Sequence, residues 1–129
     1  MAYFYVFIGG GLGAVCRYGV TTTVGMLLGG MFPWGTLVVN LVGSLLMGLV
    51  LGALLPLAKS LQLLPESLRL LLTVGFLGGF TTFSSFSMET LTLLRGDSFF
   101  LAVVNVVGSI VLGLAAAYIG YQLAMVFQR

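Results

Sequence analysis

Four long apolar stretches leave this chain little choice of fold. A helix needs about 20 mostly apolar residues to cross the hydrocarbon of a bilayer. The stretches at about 3–29, 33–55, 65–95 and 98–126 each reach that length, and only short polar breaks separate them. Charge is scarce to match: 60% of the 129 residues are hydrophobic and 6% are charged, too few charges to coat a soluble domain. The expected fold class is all-α, integral membrane, with residues 1–129 forming one four-helix domain in the lipid bilayer.

Local chemistry marks the ends. The first stretch stops at Gly29-Gly30, and Pro33 opens the second, because its missing N–H is no loss in a first helical turn. Pro56, Lys59, Ser60 and Gln62 mark a loop. Pro65-Glu66-Ser67 starts the third stretch, with an acidic first turn that suits the helix dipole. Arg95-Gly96 ends it, and Asp97 or Ser98 caps the fourth. The N-terminal MAYFYVFIGG has no basic leader region and reads as a retained first helix. Lys59, Arg69 and Arg129 on one side against Arg95 on the other bias the N-terminus weakly toward the cytoplasm.

Several chemistries are excluded. His is absent and Cys16 is alone, so there is no intrachain disulfide, no Cys/His metal site, and no Ser-His or Cys-His catalysis. A net charge of +2 without a basic run offers nothing to nucleic acid. The chain is not expected to be an enzyme. The connections leave no room for a domain outside the membrane, so function must lie in the bilayer, and four helices of this size point to a homo-oligomer. Small-xxx-small pairs (Gly9/Gly13, Gly25/Gly29, Gly48/Gly52, Gly75/Gly79) suit close helix packing, within one subunit or between two.

Polar groups inside a membrane are costly and mark function by default. VVNLVGSLLMGL (Val38 to Leu49) and VVNVVGSIVLGL (Val103 to Leu114) share eight of twelve residues, which pairs Asn40 with Asn105 and Ser44 with Ser109. In the third stretch Gly75, Gly78 and Gly79 run into Thr81, Thr82, Ser84, Ser85 and Ser87. This reads as a broken helix, whose freed backbone must be met by protein or line a cavity; the alternative is a continuous helix with a Gly/Ser packing face. Phe83 and Phe86 share one helix face. Such a stripe usually faces lipid or core, but aromatic ring edges are electropositive and can border an anion.

GGGLGAVCRYG (Gly9 to Gly19), PWGTLVVNLVGS (Pro33 to Ser44) and GFLGGFTTFSSFS (Gly75 to Ser87) resemble, in order and spacing, the signature stretches of the Fluc (CrcB) fluoride channels. That resemblance covers the whole chain. It implies an antiparallel, dual-topology homodimer in the cell inner membrane, with two fluoride pores at the subunit interface. Position by position it makes Asn40 the pore asparagine and Phe83 and Phe86 the pore phenylalanines. Ser84 and Ser85 fall on the polar track beside them, Ser109 lines the pore from the fourth helix, and Arg17 stands near the vestibule. Gly78 and Thr81 would offer backbone carbonyls to a structural sodium ion at the dimer centre. Asn105, also placed at the pore, departs from the family's usual Tyr or His, and Ser85 replaces the usual Thr.

The expected function is therefore export of fluoride down its electrochemical gradient, without catalysis. The competing reading is a small proton-coupled exporter of organic cations, which needs a carboxylate in the membrane; Glu89 is the candidate.

Overall fold

The structure is a computed structural model that describes residues 1–61 and 65–126, with the side chains of 54–61 outside the description. Among the described residues there are helices and turns and no strand. Helix α1 is Ala2–Leu28 and α2 is Trp34–Leu61. The third membrane segment is built from α3 (Glu66–Leu70), a π-helical run (Leu71–Leu77), a short α4 (Gly78–Phe80) and α5 (Phe83–Arg95). Helix α6, Phe99–Val126, completes the fold.

By length and composition Trp34–Ala53, Glu66–Arg95 and Phe99–Val126 are each apolar enough to cross a membrane. Helix α1 is long enough but falls short in composition, contrary to expectation: its glycines, three consecutive threonines and Arg17 dilute the apolar residues. The second helix also runs past its expected end at 55, so Pro56 and Lys59 stand inside it. Proline is tolerated within membrane helices, and Leu57-Ala58 beyond it are good helix formers. Gln62, expected in a loop, and Arg129, used for orientation, lie outside the described residues, as does the Lys59 side chain.

The helix ends follow the expected chemistry with one change. Gly29 closes α1 at φ 83°, a left-handed angle that suits glycine. Between α5 and α6 the left-handed residue is Asp97 (φ 56°), whereas Gly96 stays at φ −88°. A short polar side chain tolerates that conformation. Ser98 then accepts the first α6 bond, from Ala102 N–H at 3.0 Å.

Glycines draw the helices into two parallel pairs. A Cβ on Gly9 would strike the Leu71 carbonyl, one on Gly13 the Phe76 carbonyl, and one on Gly79 the Gly10 carbonyl. Helix α1 therefore lies backbone to backbone along the π segment. In the same way Gly48 and Gly52 of α2 abut Ala117, Tyr121 and Ala124 of α6, and Gly120 abuts Leu45. Three of the small-residue pairs thus close the subunit itself, whereas Gly25 and Gly29 have open space beside them. The π segment, with the Gly78 N–H reaching back to Thr73 O, was not legible in the sequence; π turns often mark functional sites.

Candidate functional site: a broken helix held by an asparagine

The third segment breaks at Thr81-Thr82. Thr81 is extended (φ −82°, ψ 158°) and so is Thr82 (φ −150°, ψ 119°). The break follows the glycines rather than falling on them. Their freedom allows the close approach to α1, and the threonines take the extended conformation that β-branched residues favour.

An interrupted helix at this depth must have its backbone groups satisfied, and Asn40 of α2 does this. Its Nδ2 donates to Thr82 O at 3.0 Å, and its Oδ1 accepts from Thr82 N–H at 2.8 Å. One side-chain amide thus replaces both bonds a neighbouring backbone would make. Since Nδ2 carries two N–H donors, one remains for another partner. Thr82, 6% exposed, caps α5: its Oγ1 accepts from Ser85 N–H at 3.2 Å, donates to Ser85 Oγ at 3.1 Å, and lies 3.2 Å from Ser84 Oγ. The sequence marks Thr82 as one of a polar run but does not single it out as this hub. Its position three residues before Ser85, at a helix start, was the available signal.

Asn40, Ser44, Thr81, Thr82 and Phe83 line an open groove of about 220 Å³. Phe83 is 79% exposed at its rim, and the half-buried Phe86 lies with its ring centroid 5.5 Å away at a tilt of 43°. The N-terminus of α5 opens at the same place, where the first-turn N–H groups ahead of Ser85 have no acceptor within the helix, an arrangement that favours anions. The structure therefore brings Asn40, Phe83, Phe86, Ser84 and Ser85 together.

Asn105 and Ser109 stand apart from that groove. Asn105 is 1% exposed, and its Nδ2 donates to Thr90 Oγ1 at 2.9 Å. Thr90 in turn donates to the Phe86 carbonyl at 2.7 Å. The side chain thus reaches the Phe86 turn through a hydroxyl relay. Ser109 Oγ is buried with no hydrogen-bond partner among the described residues, so it offers an unused hydroxyl.

For a cation the break provides neutral oxygens, and no group of His, Cys, Asp and Glu able to hold a metal occurs among the described residues. Thr82 N–H, which would close the helical bond onto Gly78 O, is engaged by Asn40 Oδ1, so Gly78 O loses its helical donor. Thr81 O lies on extended backbone and accepts from Arg17 Nη1 at 3.3 Å. A hard oxygen set of this kind suits an alkali cation.

Glu89 sits one turn beyond Phe86, where its Oε1 accepts from the buried Thr36 hydroxyl at 2.7 Å and its buried Oε2 has no partner among the described residues. Nothing in the sequence tied Thr36 to a carboxylate 53 residues away. Glu89 also borders a cavity of about 350 Å³ at the α1–α2 turn, near Thr21, Trp34 and Thr92.

The model of the family described as CrcB-like protein, Camphor Resistance (CrcB), matches residues 4–121. A Magnetococcus marinus protein named fluoride-specific ion channel FluC is 48% identical over 116 residues, covering 90% of this chain and 91% of that one. Proteins of the same name from Thermus thermophilus (49% over 121 residues; 94% and 93% covered) and Coxiella burnetii (47% over 116; 89% and 90%) agree. These similarities give no support to the exporter reading built on Glu89, whose Oε1 is engaged within the subunit. The matched span runs from the first turn of α1 to Tyr121 in α6 and takes in the whole of the break, and this multi-pass membrane protein belongs to the CrcB-like family.

Proposed function

We propose that the chain is a subunit of a fluoride-selective channel, an antiparallel homodimer in the cell inner membrane, in which each subunit's groove is completed by its partner. What supports this most is the Asn40–Thr82 break opening beside Phe83, together with the channel names of the relatives.

The chemistry follows from fluoride itself. The ion is small and tightly hydrated, and entering a dry pore strips that hydration at high cost. Uncharged donors at fixed positions offset it: the second Asn40 N–H, the α5 N-terminal N–H groups, and the Ser84, Ser85 and Ser109 hydroxyls. The Phe83 and Phe86 ring edges add a weak electropositive border. None of these is a full positive charge, so the anion is not trapped, as conduction requires. Phe83, exposed on the single subunit, becomes a pore wall once a second copy covers it. Asn105 acts through Thr90 on the Phe86 turn. A sodium ion on Gly78 O and Thr81 O of both subunits would join the two breaks and raise the local potential. Net flux follows the membrane potential outward, and no group need react.

Purified protein reconstituted in liposomes tests the reading. A fluoride electrode should register rapid efflux while chloride stays trapped, and Phe86→Ile should abolish the flux in a protein that still assembles. Equal release of both halides would refute the proposal.

A further inference from the structure

Arg17 is a full cation in the middle of α1, and its partner is a backbone oxygen. Its Nη1 donates to Thr81 O across 3.3 Å, bridging α1 to the break. The ion pair Arg69–Glu66 lies at the far end of the third segment, and no carboxylate lies within salt-bridge distance of the Arg17 guanidinium among the described residues. Thr81 O is also one of the two carbonyls assigned above to sodium. A carbonyl has two lone pairs and can accept twice. A guanidinium and a metal ion on one oxygen would nevertheless place two unit positive charges a few ångströms apart, away from bulk water, where their repulsion is strong.

We propose, resting on the sodium reading, that Arg17 is a built-in competitor of sodium at the helix break. The guanidinium satisfies Thr81 O in the separate subunit, and a metal ion entering between two subunits has to push it away. Arg17 thereby sets the sodium concentration at which the break becomes metal-bound.

The test titrates sodium chloride into detergent-purified protein at constant ionic strength, with N-methyl-D-glucamine chloride as the balance. Thermal midpoint and dimer fraction are both read. Wild type should gain stability with sodium, because a ligand bound only by the native assembly stabilises it. Arg17→Gln should reach half-effect at about tenfold less sodium, the scale of one charge-assisted hydrogen bond. Arg17→Lys keeps the charge and should stay close to wild type. An unchanged or raised sodium requirement in Arg17→Gln overturns the competition. A wild type indifferent to sodium overturns the sodium reading beneath it, which separates the two failures. If Arg17→Gln does not assemble, arginine side-chain nitrogen resonances of the wild type decide. Sodium should release the Arg17 guanidinium, with its signal identified by its loss in Arg17→Lys, and a signal that sodium leaves unmoved rules the proposal out.

Discussion

Asn40 and Asn105 stand in nearly the same local sequence, VVNLVGS in α2 and VVNVVGS in α6, and the fold uses them differently. Asn40 faces a broken backbone and keeps a donor beside an open groove; Asn105 is sealed in and spends its amide on a threonine. Their neighbours diverge as well. A Cβ on Gly43 would strike the Thr81 methyl, whereas one on the matching Gly108 would meet open space. Val39 is fully buried, while Val104 is 40% exposed. One sequence pattern thus serves a central helix that braces the break and an outer helix that props α5 from behind. An asparagine gains its function here from the backbone opposite it.

That contrast can be broken in order of expected effect. Asn40→Ala leaves both Thr82 N–H and Thr82 O without partners, and should cost about 3 kcal/mol and all fluoride flux, read by thermal unfolding and a fluoride electrode. Gly43→Ala should come next: the added methyl meets Thr81 at the break, with a loss of about 1–3 kcal/mol from overpacking and a marked loss of flux. Thr90→Val strands the buried Asn105 donor and should cost about 1–2 kcal/mol while leaving part of the flux; a flux loss equal to that of Asn40→Ala would erase the distinction between the two asparagines. Gly108→Ala is the mild end: with nothing to strike, it should be neutral or gain up to about 1 kcal/mol from helix propensity, with flux unchanged.

Much of this arrangement is legible in the residues. Length and apolar runs dictate membrane helices, and Gly78-Gly79 followed by Thr81-Thr82 announces the break. Asn40, Phe83 and Phe86 are readable by type and spacing and, more sharply, by resemblance. What escapes is pairing across the fold. Thr36 meets Glu89, Thr90 carries Asn105 to Phe86, and Arg17 reaches Thr81, all through contacts between distant segments that no local pattern encodes. The π turn escapes for a related reason: the backbone contacts with Gly9 and Gly13 that accompany it come from a different helix, far away in sequence. Even the extra length of α2 turns on a proline that soluble helices exclude and membrane helices accept.

The central claim is that an anion meets the chain at the Asn40 amide. The most direct measurement is fluoride efflux from liposomes bearing Asn40→Asp, compared with wild type at equal dimer content. The aspartate still accepts from Thr82 N–H but loses the bond to Thr82 O, and it replaces the spare N–H donor with negative charge; the comparison at equal dimer content sets any loss of assembly aside. The account predicts collapse of fluoride efflux in an intact dimer. Efflux at the wild-type rate would contradict it.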